Sequence, residues 1–374
     1  MLLTERNSAP GDFYVPGASI CIGMDGANMR ERYGMHFTQV EVDLQVSVQG
    51  TFRFTIPRAF DNERSDFFTP SGDPLMPLIK LGARVWIRMG YGDLRATTPL
   101  ISGYITAVST GFAEGGAPDI EVTGMDATFV MTLGTSEHRL ENRTVQDAVQ
   151  EVAQKNGLSL DFSGNAPANI TLDSNLQSDL DFLRKVVEIF SKSGAKWEFF
   201  ARSSFGRDML VVRPRTALER PLLTLVWGGD LISFKPEINL GNQVQSVKVY
   251  GWDEVKKKEI IGTAPTASGP KSEPSGGDIL RSAFGRDAVL ELRLPVKTQQ
   301  EADQRAAAAF ANRSNDLLKG EGETFGRPDL LPDSCIELTG IGQQFSTCYY
   351  VAKTVHRYDT TGYRTRFSVE RPVA

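Results

Sequence analysis

Between residues 40 and 56 the chain alternates apolar and polar side chains with a period of two. Val40, Val42, Leu44, Val46 and Val48 are separated by Glu41, Asp43, Gln45 and Ser47, and after Gly50 the rhythm resumes with Phe52, Phe54 and Ile56. That period puts one face of a strand on a core and the other in water, which fits half-buried antiparallel sheet and excludes a helix. Pro57 ends the run. Further strands are predicted over 84–88, 100–108 and 120–123, separated by turns at Gly90-Tyr91-Gly92 and Gly115-Gly116. Four or more short strands at this spacing predict a small β-barrel or sandwich over residues 1–130.

The period then changes. Val145, Ala148, Val149, Val152 and Ala153 follow helical spacing, Thr144 and Asp147 stand as a capping pair, and Gly157 is placed to end the helix. A second helix is capped by Ser178, carries Phe182, Leu183, Val186, Val187 and Phe190 on one face, and stops at Gly194. Strands over 197–201 and 209–213 read as a hairpin, so residues 131–220 form an α/β domain. Alternation returns over 222–227, 232–235 and 244–252, which assigns 221–262 to the first part of a second barrel. An insertion over 263–324 holds a Pro/Gly/Ser-rich segment, 263–278, predicted to be an exposed mobile loop. It also holds a helix from a Thr298/Glu301 cap through Phe310 and Leu317 to Gly320. Strands over 335–338, 349–358 and 365–370 complete the second barrel within 325–374.

One internal echo links the two ends. Gly82-Ala83-Arg84-Val85-Trp86-Ile87 leads to Gly103-Tyr104-Ile105 and then Ile120-Glu121-Val122. Asp333-Ser334-Cys335-Ile336-Glu337-Leu338 leads to Tyr350-Val351-Ala352 and then Phe367-Ser368-Val369. Order and spacing agree although identity is slight, which suggests two related barrels flanking an inserted α/β region.

Composition narrows the function classes. A chain of 374 residues with 40% hydrophobic and 23% charged residues is globular and long enough for two to three domains. Cys21, Cys335 and Cys348 form no CxxC pair, and His36, His138 and His356 supply no ligand spacing, so no metal site is assigned. The N-terminus lacks the apolar core of a secretory signal, and no run reaches the ~18 apolar residues of a membrane span. The formal net charge of −5 argues against sequestering nucleic acid. No sequence-specific nucleic-acid binding is expected.

Candidate chemistry is sparse. His356 with Asp359 and Thr354 or Thr360 sketches part of a catalytic triad, but no G-x-S-x-G elbow supplies a nucleophile, and a strand-end histidine is the favoured reading. Asp179/Asp181 and Glu321/Glu323 resemble paired glycosidase carboxylates. The first pair falls in the first turn of a helix, where negative charge complements the dipole, and the second in a glycine-rich loop. Phe205-Gly206-Arg207-Asp208 recurs as Phe284-Gly285-Arg286-Asp287 and reads as turn chemistry. Lys256-Lys257-Lys258 reads as an exposed hairpin tip. No catalytic, cofactor or metal residue is assigned, and no cofactor is expected.

The C-terminal segment carries a resemblance. Gly326-Arg327-Pro328-Asp329-Leu330-Leu331-Pro332, the strand Cys335–Leu338, Tyr349-Tyr350-Val351, Val355-His356-Arg357-Tyr358-Asp359 and Gly362-Tyr363-Arg364-Thr365 resemble the end of the phage late control gene D family. Ser178-Asp179-Leu180-Asp181-Phe182-Leu183, then Gly194 and Trp197-Glu198-Phe199, are similar to the hub portion of VgrG proteins, as is Val244-Gln245-Ser246-Val247-Lys248-Val249-Tyr250-Gly251-Trp252-Asp253. The ordered set spans roughly residues 40–370. The resemblance implies a β-rich α+β fold with two related β-barrels, an inserted α/β domain and a helical insertion. It implies a non-enzymatic baseplate hub of a contractile tail, homotrimeric, partnered by a separate spike protein, a tail-tube or tube-initiator protein and baseplate proteins. Such a chain would be made in the bacterial cytoplasm and act in a virion or phage-tail-like particle. A tail-borne peptidoglycan hydrolase and a β-rich receptor-binding module are the alternatives.

Overall fold

The computed structural model describes residues 15–23, 26–114, 116–137, 144–164, 176–191, 196–204, 207–215, 220–253, 257–264, 274–296 and 298–371. The chain enters through β1 (Pro16–Ile22), β2 (Ala27–Asn28) and the short helix α1 (Met29–Tyr33). The alternating segment becomes β3 (Thr38–Gln45) and β4 (Thr51–Ile56). Val40, Val42, Phe52, Phe54 and Ile56 are buried, while Thr51 and Arg53 are exposed. After the two-residue strands β5 (Phe60–Asp61) and β6 (Asp66–Phe67) come β7 (Arg84–Tyr91), β8 (Ile101–Thr110) and β9 (Ile120–Asp126). These strands run antiparallel in the order β2-β1-β7-β8-β9-β4-β3, around a core that includes Ile20, Val85, Ile105 and Val122.

The middle unit follows the change of period. Short β10 (Ser136–Glu137) precedes helix α2 (Val145–Lys155), whose Thr144 and Asp147 form a reciprocal capping box. Next come β11 (Ser159–Phe162), β12 (Leu176–Gln177) and helix α3 (Asp179–Ser191), where the Ser178 hydroxyl accepts from the Asp181 N–H at 3.1 Å. β13 (Trp197–Ser204) and β14 (Arg207–Pro214) pair antiparallel as expected, and β11 joins β14 in parallel. Both helices bury their apolar faces with Trp197, Phe199, Leu210 and Val212. Residues 205–206, between β13 and β14 in sequence, lie outside the described residues.

β15 (Leu223–Val226) and β16 (Leu231–Ile238) return to the main sheet. β17 (Ser246–Asp253) and β18 (Lys258–Ala264), assigned from sequence to the second barrel, instead form a separate three-stranded sheet with β19 (Val289–Arg293). Helix α4 (Gly276–Phe284), capped by Ser275 and Asp278, precedes β19. Helix α5 (Gln299–Ser314) covers the sheet with Ala302 and Ala306 in the shared core, and Ala302 sits so close that a Cβ at Gly262 would meet its carbonyl oxygen at 2.3 Å. Of the segment 263–278, residues 265–273 lie outside the described residues; its two ends belong to β18 and α4.

β20 (Leu318–Phe325), β21 (Ser334–Thr339), β22 (Cys348–Asp359) and β23 (Gly362–Arg371) complete the chain. Helix α5 thus ends at Ser314 rather than Gly320, and Glu321 and Glu323 lie on a strand, not in a glycine-rich loop. The glycines there serve packing. A Cβ at Gly320 would stand 2.4 Å from the Phe234 ring, and one at Gly322 would stand 2.4 Å from the Phe367 ring.

The two related barrels expected from sequence share one curled thirteen-stranded sheet among the described residues. The second half runs β16-β20-β23-β22, with β21 and β15 beyond β22, around Leu225, Leu231, Ile336, Tyr349 and Phe367. The halves join where Lys353–Tyr358 of β22 pairs antiparallel with Gln45–Val40 of β3. The echo in the sequence is a repeat in register. β8 pairs with β7 and β9 and carries a bulge between Ile105 and Ala107; β22 pairs with β21 and β23 and carries one between Val351 and Lys353. Gly82 (φ 77°) donates its N–H to the Ile105 carbonyl, and Asp333 (φ 59°) donates to the Val351 carbonyl. Bulges re-aim strands, so the same bend is built twice.

Gly124 of β9 is a tight seat in the first half: an added Cβ would stand 2.1 Å from the Phe52 ring and 2.3 Å from the Tyr104 carbonyl oxygen. Gly124→Ala should lower the unfolding free energy by at least about 1–3 kcal/mol, the usual cost of overpacking. Gly116→Ala, which has open space around it, should leave the urea midpoint unchanged in the same measurement.

Candidate functional site

The structure disperses the residues that sketched catalysis. His356 is fully buried under the sheet, with Nδ1 2.8 Å from the Tyr363 hydroxyl and 3.2 Å from Thr365 Oγ1. Burial lowers its pKa to about 4. Asp359 turns the other way: it accepts from the Thr361 N–H at 2.8 Å and pairs with Arg357 at 2.9 Å. It is not hydrogen-bonded to His356, so no triad assembles. Asp179 is buried and acts as a fastener between α2, α3 and β10, accepting from Asn156 at 2.7 Å, from Ser136 at 2.9 Å and from Lys155, whose Nζ stands 3.0 Å away. Burial alone would raise its pKa, but these donors hold it below the ordinary value. Asp181 accepts from the Ser178 hydroxyl and from Arg184 at 3.1 Å in the first turn of α3. Glu323 faces Arg366 at 3.8 Å and Arg364 at 3.9 Å.

Arg281 and Asp287 pair at 2.7 Å around Gly285, the left-handed C-cap of α4. His138 and Lys256 lie outside the described residues. Burial, with Cys348 nearby, pushes the Cys335 thiol up to about 12, and all three cysteines are free. Among the described residues no cluster of three or more His, Cys, Asp or Glu side chains is placed to hold a metal, and no helix is long and apolar enough to cross a membrane.

The strongest polar constellation was not anticipated from sequence. Tyr350 of β22 points its hydroxyl at two buried carboxylates, Glu198 of β13 by a very short contact and Asp333 at 3.1 Å. Arg215 bonds Glu198 at 2.9 Å and Glu370 at 2.8 Å, and lies 4.0 Å above the Tyr350 ring. Arg213 pairs with Asp333 through Nε at 2.6 Å. Burial, with Glu198 and Asp333 beside it, pushes the Tyr350 phenol far above its ordinary pKa. Burial alone would lower the Arg215 pKa, but Glu198 and Glu370 outweigh it. A neutral phenol has one proton, so it donates to one acid at a time while the two arginines balance the pair. A second ion pair, Arg84 with Asp208, ties β7 to β14. Both link the α/β unit to the sheet. They are positioned to fix orientation, with no open water-accessible carboxylate aimed at a substrate.

The outward face of the sheet carries cross-strand charge pairs of alternating sign. Arg53 stands between Glu41 at 3.2 Å and Glu121 at 3.9 Å, and Lys353 meets Asp43 at 2.7 Å across the joint between the halves. No basic stripe results.

A family model described as the Alg8 N-terminal domain matches residues 17–359. The chain belongs to the Alg8 N-terminal domain family. That description differs from the late control gene D and VgrG resemblance read from the motifs. No curated protein matches this family member in sequence. Its fold is similar to that of the prophage MuSo2 43 kDa tail protein from Shewanella oneidensis, with a TM-score of 0.68 at 13% identity over 96% of this chain and 100% of the other. A tail protein from Neisseria meningitidis MC58 gives a TM-score of 0.65 at 13% identity, over 96% and 97%. The E. coli c3393 protein, a component of the type VI secretion system, gives 0.51 at 12% identity, covering 90% of this chain and 73% of the other. At these identities the likeness establishes the fold of this family member.

Two measurements test the site geometry. A histidine held neutral in the fold binds fewer protons than in the unfolded chain, so its contribution is present above its ordinary pKa and is lost as pH falls. Between about pH 6.5 and pH 4, stability should decline by on the order of 3 kcal/mol from this group. His356→Asn should flatten that part of the stability–pH curve followed by urea unfolding. Arg215→Ala leaves the buried Glu198 and the half-buried Glu370 with only Lys196, 3.8 Å from each, to balance them, and should cost about 3–5 kcal/mol. Tyr350→Phe should cost less, about 1–3 kcal/mol.

Proposed function

We propose that the chain is a structural baseplate hub subunit of a contractile phage tail or a phage-tail-like injection system. Three copies form an adaptor between a six-fold tail tube and a three-fold central spike. The observation that carries this reading is the repeat in register: one bulged strand unit occurs twice in one chain, joined through β3 and β22. Three such chains present six similar units toward a tube, and can remain three-fold toward a spike. Closed cyclic symmetry requires heterologous contacts, first half of one subunit against second half of the next.

The two tail-protein structures with TM-scores of 0.68 and 0.65 support the tail assignment, and the late control gene D and VgrG motifs support the finer hub role. On this reading the chain is not an enzyme. Its partners are two further copies of itself, a separate spike protein, a tube or tube-initiator protein and other baseplate proteins, and it acts in the assembled particle. Three of the paired carboxylates support this side of the reading, since Asp181 is engaged as a cap and Asp179 and Glu323 in ion pairs.

A reconstruction of the particle should show three copies in a ring; six copies in that layer would sink the proposal. The purified chain should leave a peptidoglycan zymogram uncleared.

A further inference from the structure

The repeat in register has two open ends. Within the chain, the outer edge of β3 is covered by β22 through the pairs Lys353–Gln45, Val355–Asp43 and Arg357–Glu41. The equivalent of β3 in the second half is β16. Each flanks the strand two places from its bulged strand, β3 beside β4 and β16 beside β20, with Val42 opposite Phe52 and Pro236 opposite Gly320, and Glu41–Arg53 matching Lys235–Glu321. β16 ends the sheet, and Ser233, Lys235 and Glu237 are exposed.

The equivalent of the covering segment is the far end of β8. Tyr104, Ile105 and Ala107 match Tyr350, Val351 and Lys353 by the position of the bulge and by their pairing. β7 pairs with β8 only over Ile101–Tyr104, so beyond the bulge that side of β8 has no strand on it among the described residues, and Ala107, Ser109 and Thr110 are exposed. One chain therefore carries one filled joint and the two complementary halves of another.

We propose that β16 of one subunit adds antiparallel to the β8 segment 107–110 of a second copy, in the register of the internal joint. That register sets Ser109 opposite Glu237, Val108 opposite Ile238 and Ala107 opposite Asn239. The pairing extends the hub reading above, on which it rests for the number of copies, by naming the strands that close the ring. Pro236 falls among the outward-facing positions of β16. Asn239 donates inward to Leu317, so alternate residues from Ile238 turn outward, as Val46, just past β3, does toward Ala352. The joint thus lacks one donor that Val42 supplies in the internal one. A proline on an edge discourages indiscriminate strand addition, and leaves the register to be set by the flanking residues.

Directly opposed residues of an antiparallel pair lie close enough for a disulfide, and both test positions are exposed. The full chain carrying Ser109→Cys and Glu237→Cys should, under mild oxidation, move mainly into covalent dimers and trimers on a non-reducing gel. The parent chain and a Ser109→Cys/Trp252→Cys variant should not. A mixture of the two single variants should yield only the heterodimer. A chain that is trimeric by mass photometry yet does not cross-link overturns the edge pairing and leaves the hub reading standing. A covalent ring of six keeps the edge pairing and overturns the trimer. A chain that stays monomeric and uncross-linked at every concentration overturns the proposal.

Discussion

β22 holds the molecule together because one side of it serves two partners. Its first residues pair with β21, its later residues pair with β3, and the bulge at Ala352 separates the two registers. The Val46 N–H donates to the Ala352 carbonyl at 3.1 Å at the point of exchange. Beneath this strand the side chains are fully buried, and they include Thr354 and His356 as well as Tyr349 and Val351. A one-residue slip of β22 would send this whole set to the solvent face. The charged histidine would also have to be desolvated, which is why the neutral form is favoured there. The two halves are therefore fixed to each other by register, and a loose linker between two barrels is excluded by the pairing itself.

The ionic centre fixes the third body to the same strand. Tyr350 and Glu198 are 152 residues apart, and Arg213 and Asp333 are 120 apart. Neither pairing is local. Buried pairs of this kind add little net stability over an apolar contact of the same shape, but breaking one leaves an uncompensated charge. Their effect is to make one orientation of the α/β unit much better than its neighbours. Asp333 serves twice: its backbone takes the left-handed turn that begins β21, and its carboxylate anchors Arg213.

Local signals in the sequence were faithful where the neighbours along the chain decide the structure. The two-residue period located β3 and β4, the helical spacing and Thr144/Asp147 cap located α2, and Ser178 located the start of α3. Glycine misled where a distant ring decides. Gly320 and Gly322 read as a loop, yet they are the places where the tips of the Phe234 and Phe367 rings reach the strand. Helix α4 went unread because Gly276 and Gly277 open it, pressed against Gln243 and Gln245 with no room for a Cβ. The partner of β17 was equally hidden: alternation says that a strand has two faces and not which sheet it joins. For the functional constellation, the individual motif residues were visible, but the meeting of Glu198, Asp333, Arg215 and Tyr350 depends on topology that no spacing encodes.

The repeat explains why the echo is so faint in letters and so clear in geometry. The first half places Phe52 on Gly124, while in the second the strand equivalent to that of Phe52 carries Gly320, opposite Val369 and covered by Phe234. Ring and glycine have changed strands while the spacing between strands is kept. The sign of the outer pair is also reversed, Glu41 opposite Arg53 in one half and Lys235 opposite Glu321 in the other. Even the last strand differs, since β1 runs antiparallel to β7 and β15 runs parallel to β21. What recurs is the bulge, the left-handed residue that starts the preceding strand, and the edge offered beyond it. Those are backbone features, and many side-chain solutions satisfy each one. A chain that builds the same bulge twice is held to a register, and a register can be kept while almost every residue that carries it is exchanged.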